Sequence, residues 1–129
     1  MSTQRIQLAL NVEDLDNAVD YYSKLFGTAV TKRKSGYANF AIAEPPLKLV
    51  LFEVPGAKER LNHLGVETSD QADVDQAITR LHEAGLVDST EEGNTCCYAK
   101  QNKVWSHDPD GARWEWYRVL EDAPSFAGE

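Results

Sequence analysis

The sequence predicts an α+β fold of two tandem βαβββ modules, spanning about residues 4–54 and 61–119 of a single domain at 1–120, with a flexible tail over 121–129. Three observations carry that prediction. A helical stripe of Leu15, Ala18, Val19 and Tyr22 returns 59 residues later as Val74, Ala77, Ile78 and Leu81. Each stripe follows an extended run, Ile6 to Val12 in one half and Leu61 to Glu67 in the other. After each stripe the chain breaks into short extended runs at Gly, Pro and Asp signals. A repeat of roughly 55–60 residues is longer than solenoid periods, and two copies are too few to stack, so duplication of one unit is the better account.

The elements follow in order. Ile6, Leu8, Leu10 and Val12 alternate with Gln7, Ala9 and Asn11, the period of a half-buried strand. Asp14 is placed to cap the first helix, whose stripe ends at Phe26, and Gly27 to stop it. Ala29 to Lys34, Tyr37 to Ala43 and Leu47 to Val54 read as strands divided by Ser35-Gly36 and by Glu44-Pro45-Pro46. In the second half Ser69 or Asp70 caps the helix and Gly85 terminates it. Weaker strands are expected at Val87 to Thr90, Cys96 to Ala99 and Val104 to Ser106, then a turn at Asp108-Pro109-Asp110-Gly111 and a strand from Arg113 to Val119.

Composition narrows the function classes. The 129 residues are 42% hydrophobic and 26% charged, enough for one compact core. A net charge of -8 repels phosphate backbones and anionic lipid, so neither nucleic acid nor membrane is expected as a partner. No signal-peptide run opens the chain and no apolar stretch approaches a spanning helix, which reads as a cytoplasmic protein. Its two cysteines, Cys96 and Cys97, are neighbours. A trans peptide holds their Cα atoms about 3.8 Å apart, closer than the usual disulfide range of about 4.4–6.8 Å, so they are poor structural staples.

Two polar residues occupy matching places in the repeat, and a third lies in its last strand. Gln7 lies on the first strand of one half and His63, 56 residues on, at the matching position of the other; each has a small residue two positions later on its face, Ala9 and Gly65. Glu115 follows 52 residues after His63, set between Trp114 and Trp116, with Tyr117 on its own face. A buried carboxylate there must be paired, hydrated or metal-bound; on an outer face it would simply be solvated. The last strand of the first half, Leu47 to Glu53, carries no acid or His before its end, which argues against a four-ligand glyoxalase I-type site.

Adjacent thiols can both reach one thiophilic centre from a loop, whereas a regular strand points them apart. Soft thiolates suit trivalent arsenic, Cd(II) or Zn(II); the alternative is that small cysteines fill space. Tyr98 and Lys103 are candidates to close over a ligand or orient a reacting oxygen, although an edge aromatic and a solvated lysine are the ordinary readings and we keep them. His107 beside the Asp108 turn is read as turn-stabilising or exposed rather than as an acid or base. His82 suits the dipole at its helix end and has no assigned chemistry. Trp105, Trp114 and Trp116 are read as sheet packing rather than a binding box, with a place in the cavity wall left open for any of them.

The paired βαβββ plan, with curved mixed sheets around a metal site, resembles the vicinal oxygen chelate superfamily of glyoxalase I, extradiol dioxygenases, fosfomycin resistance enzymes and bleomycin-binding proteins. Within it, Cys96-Cys97, the run Asn62 to Glu67, the long run Gly36 to Leu51 and Gln101-Asn102-Lys103-Val104-Trp105 are similar to the cadmium-induced protein and organoarsenical carbon–arsenic lyase family. That resemblance covers about residues 5 to 119. It implies an Fe(II)-dependent dioxygenase, with dioxygen as co-substrate, that converts methylarsenite or trivalent aromatic arsenicals to arsenite in arsenical detoxification. Carried over, Gln7, His63 and Glu115 would hold iron and Cys96 with Cys97 would hold the arsenical. Gln7 departs from the histidine usual at its position. The alternative is a non-catalytic protein that sequesters Cd(II) or arsenite through the thiols. Superfamily sites form within one chain or across a homodimer, and the spacing permits both.

Overall fold

The computed structural model describes residues 3–122. The order is β1 (Gln4–Val12), α1 (Leu15–Phe26), β2 (Lys32–Lys34), β3 (Tyr37–Ile42), β4 (Leu47–Glu53), β5 (Leu61–Thr68), α2 (Gln71–Glu83), β6 (Ser89–Cys96), β7 (Ala99–His107) and β8 (Arg113–Asp122). This is βαβββ twice over, the α+β plan expected. The chain divides into two compact units, Ile6–Leu64 and the remaining described residues 3–5 and 65–122. The expected tail lies outside the described residues from 123 onward, while 121 and 122 complete β8.

In the first unit the strand order is β2-β3-β4-β1, with β1 and β4 parallel and the other pairs antiparallel. Alternation sorts the side chains. Leu8, Leu10 and Val12 of β1 pack with Ala38, Phe40 and Ile42 of β3 and Leu49 and Leu51 of β4 against Leu15 and Val19 of α1. The opposite face carries Gln7, Ala9, Tyr37, Asn39 and Val50, all buried as well. Polar groups thus sit in an enclosed setting, where each needs a partner. Asp14 caps α1 by accepting from Asn17 N at 2.9 Å, and Glu53 Oε2 accepts from Leu15 N at 2.8 Å. That second cap occupies the one acid of β4.

In the second unit the order is β5-β8-β7-β6. Val74 and Ala77 of α2 are fully buried, as is Val104 of β7. Asp70, rather than Ser69, is the cap: it accepts from Ala72 N at 2.9 Å, while Ser69 Oγ accepts from Thr3 N. Gly85, at φ 73°, closes a six-residue C-terminal turn in which Leu86 N donates to Leu81 O at 2.8 Å and Gly85 N to His82 O at 3.1 Å. The Asp108 turn forms as expected, with Asp108 Oδ1 accepting from Asp110 N and Ala112 N.

Two expectations need correction. The first is the strand at Ala29 to Lys34, which shortens to Lys32–Lys34 because the Thr31 hydroxyl takes the Ala41 N–H in place of a ladder bond. The second concerns the three weak strands of the second half. They are one hairpin, β6 and β7, and the strand expected at Cys96 to Ala99 is where the two meet: Cys96 ends β6, Ala99 begins β7, and Cys97-Tyr98 are the turn between them. The register shifts between Glu91 and Asn94, so the alternation that would have announced a continuous β6 is broken there.

Candidate metal and thiol site

The thiols sit on the tip of the β6–β7 hairpin. Cys96 ends β6 opposite Ala99, leaving Cys97 and Tyr98 as a two-residue turn with φ of 55° and 64°. Positive φ at both central positions is the signature of the type I′ hairpin turn, usually filled by Asn-Gly. Here two side-chain-bearing residues hold that conformation at a local cost, and the result brings the thiols to one side. Their Sγ atoms stand 2.9 Å apart, both free and half-buried. The loop placement that joint thiol binding requires is therefore present.

The pair is electrostatically unequal. A hydrogen bond from Cys97 holds Cys96 down at about 7, with Lys103 adding to the effect and burial opposing it. The same bond, reinforced by burial, raises Cys97. Cys96 is thus the more readily ionised thiol of the pair, with Cys97 as its S–H donor.

Lys103 is not a solvated lysine. It is 2% exposed, and its Nζ donates to Glu115 Oε1 at 2.7 Å, itself 5% exposed. Register explains the meeting: Lys103 pairs with Tyr117 and Trp105 with Glu115 across β7 and β8, so Lys103 and Glu115 are diagonal neighbours on one face. The ammonium also lies 5.2 Å from the Trp105 ring centroid and 5.5 Å from that of Tyr117. Burial disfavours its charge, but Glu115 and the two cysteines outweigh that and raise Lys103 above its ordinary value. On this face Gln101 Nε2 donates to Cys96 O at 2.9 Å, bracing the hairpin end, and Tyr117 hydroxyl stands 3.5 Å from Glu67 Oε2, which Arg5 Nε engages at 2.6 Å through Oε1. A solvated Glu115 on an outer face is ruled out.

The first unit holds the other two expected ligands. Gln7 and His63 are buried, and Gln7 Nε2 lies 3.1 Å from His63 Nε2. His63 Nδ1 lies 2.7 Å from Asn62 Oδ1, and the rings of His63 and Phe52 have centroids 6.3 Å apart. A neutral amide and an imidazole are hard and borderline donors of the kind that divalent first-row metals accept, as is a carboxylate, while the thiols are soft donors. Gln7 and His63 are thus brought together, and Glu115 is brought to Lys103 and the thiol hairpin.

The weaker candidates resolve as well. His107 is exposed, with Nδ1 2.9 and 2.8 Å from the two Asp88 carboxylate oxygens, whose hydrogen bond and charge raise it; this is a surface ion pair. Trp116 packs under the Arg80 guanidinium at 5.0 Å. Trp105 instead faces Lys103, so it walls the polar site. Sequence reasoning missed Asn62 and the burial of Lys103, because a strand neighbour ordinarily faces away and Lys103 sits in a polar run.

Known proteins agree with this architecture. The chain is 58% identical over 122 residues to the cadmium-induced protein CadI of Mycobacterium tuberculosis, covering 95% of this chain and 80% of that protein. It is 55% identical over 124 residues to a trivalent organoarsenical cleaving enzyme of Thermomonospora curvata, covering 95% of this chain and 82% of the enzyme. The Mn(II)-bound glyoxalase from Novosphingobium aromaticivorans shares the fold at a TM-score of 0.66 and 18% identity, over 98% of this chain and 44% of that one. The profile of the Glyoxalase/Bleomycin resistance protein/Dioxygenase superfamily matches residues 5–116, and the chain belongs to that superfamily.

Proposed function

We propose that this protein is an Fe(II)-dependent dioxygenase that cleaves the carbon–arsenic bond of trivalent organoarsenicals, methylarsenite and trivalent aromatic arsenicals among them, and releases arsenite. The observation that carries the reading is the pair of free thiols 2.9 Å apart on a two-residue turn, one of them held down at about 7. Such a pair suits a trivalent arsenical, which exchanges two hydroxyls for two thiolates and keeps its carbon substituent. Gln7, through its amide oxygen, His63 and Glu115 would hold the iron, a reading supported by the donor chemistry and by the similarity to an organoarsenical cleaving enzyme. Iron, when bound, supplies dioxygen activation.

The chain's own residues do the rest. The Cys96 thiolate displaces one hydroxyl from arsenic as hydroxide, forming the first As–S bond, and Cys97 displaces the second, its thiol proton leaving with that hydroxyl as water. The closed hairpin then fixes the substituent in one orientation, which supplies the proximity contribution to the rate. Lys103 keeps the Glu115 carboxylate compensated while it is buried. For hydrated methylarsenite, addition of one dioxygen balances as formaldehyde plus arsenite, with one oxygen on carbon and one on arsenic, so no outside reductant enters.

A second reading is favoured by the thiols alone and by the cadmium-induced relative: sequestration of Cd(II) or arsenite without turnover. One experiment separates them. Protein reconstituted anaerobically with Fe(II) is given methylarsenite and then air, and arsenic speciation is followed with oxygen uptake. Arsenite formed in step with oxygen, and only with iron, is the expected result. Stoichiometric binding of intact methylarsenite under air would overturn the lyase and leave sequestration.

A further inference from the structure

The geometry points to Asn62 as a positioning residue that fixes His63 in the one tautomer able to offer Nε2 to a metal, with Asn11 and the Glu59 carbonyl setting Asn62 in turn. The inference rests on the proposal that His63 is a metal ligand. Asn11 Nδ2 donates to the Glu59 backbone oxygen at 3.1 Å, which settles the orientation of the Asn11 amide, because a carbonyl only accepts. Asn11 Oδ1 is then the acceptor that faces Asn62 Nδ2 at 3.0 Å. That settles Asn62: its Oδ1 is the atom 2.7 Å from His63 Nδ1. Since that oxygen can only accept, Nδ1 carries the proton and Nε2 keeps its lone pair. On the far side Gln7 Nε2 stands 3.1 Å from that lone pair and satisfies it.

A chain of three fixed amide and carbonyl orientations therefore ends on one imidazole nitrogen. All its members belong to the same compact unit. Each link removes a two-fold ambiguity, and the whole begins at a backbone carbonyl that cannot turn over. A histidine that ligates a metal through one nitrogen commonly donates its other N–H to an oxygen, and loss of that oxygen typically costs about 10–100-fold in metal affinity. A side-chain amide in that role orients the ring without adding a charge of its own.

The test reads tautomer and metal affinity separately. The chain has 3 histidines, so long-range proton–nitrogen correlation on labelled metal-free protein, with a His82→Gln/His107→Gln background for assignment, resolves His63. The wild type is expected to show the Nδ1–H form. Asn62→Leu should shift His63 toward Nε2–H and weaken Co(II) binding by about 10–100-fold, whereas Asn62→Asp, which keeps the acceptor, should retain the wild-type tautomer. Asn11→Ala, which frees the Asn62 amide to flip, should move the tautomer the same way by less and guards against a misfolded Asn62→Leu. An Nε2–H wild type, an unmoved tautomer in both Asn62→Leu and Asn11→Ala, or a moved tautomer with unchanged Co(II) affinity overturns the positioning role. His63→Ala separates the levels: if it leaves Co(II) affinity intact, the ligand reading itself falls and this inference with it. A weakened His63→Ala beside an unmoved tautomer overturns Asn62 alone.

Discussion

Cys96 and Cys97 are adjacent in sequence yet opposite in acidity. The difference comes from one shared proton: whichever thiol ionises first is stabilised by the S–H of the other, and the second then faces both a neighbouring negative charge and burial. Lys103 favours ionisation at Cys96, while Glu115 and Glu91 oppose it. The sign of the pH dependence follows directly. Thiolate is present above about 7 and is lost as the pH falls below it, so single-site alkylation of metal-free protein should rise with a midpoint near 7. Cys97→Ala removes the largest cause of the lowering, so the midpoint should climb toward the ordinary 9.0, and alkylation at pH 7 should slow by roughly ten-fold or more. Iodoacetamide kinetics with mass-spectrometric site assignment measures both. A midpoint unmoved in Cys97→Ala would transfer the lowering to Lys103.

At the scale of elements, the β6–β7 hairpin matters most, and it was the least legible part of the chain. The first strand, both helices and their caps could be read because apolar residues recur at strict periods and Asp and Gly stand at the ends. The hairpin breaks each of those cues. A bulge between Glu91 and Asn94 interrupts the alternation, and Cys97-Tyr98 occupies a turn whose usual residues are Asn and Gly. Lys103 was hidden for a related reason: its burial depends on the cross-strand register that places Glu115 diagonal to it, and register is a property of the pair of strands. The turn also carries a prediction. A side-chain-bearing residue at φ 64° costs about 1–2 kcal/mol, and glycine removes that cost while adding roughly 0.4–1 kcal/mol of unfolded-state entropy. Tyr98→Gly should therefore stabilise the protein by up to about 1 kcal/mol and raise Tm by a few degrees, measured by thermal denaturation. A lowered Tm would mean that the Tyr98 ring contributes more packing than the strain it imposes.

At the scale of the whole molecule, duplication made two of the expected ligands legible as candidates: Gln7 and His63 occupy matching positions of two copies of one unit, whereas Glu115, in the last strand of the second copy, was added by the family resemblance. Their burial has a thermodynamic consequence. Gln7, His63 and Glu115 are each at most 7% exposed, and a chain with net charge -8 concentrates cations around it. On the proposed reading, a metal held by these residues would bind the folded chain and not the unfolded one, and would stabilise folding by about 2.7 kcal/mol at a free concentration one hundred times its Kd. Fe(II) under anaerobic conditions, or Co(II) as a redox-stable probe, should raise Tm by several degrees, and a chelator should reverse the rise. His63→Ala and Glu115→Gln should each abolish most of that increment. Cys96→Ser/Cys97→Ser should keep it, because the soft donors are not needed for a hard or borderline ion. Differential scanning fluorimetry across a metal titration separates the donor sets. An increment that survives both His63→Ala and Glu115→Gln but disappears with the thiols would place the metal on the hairpin and restore sequestration as the function.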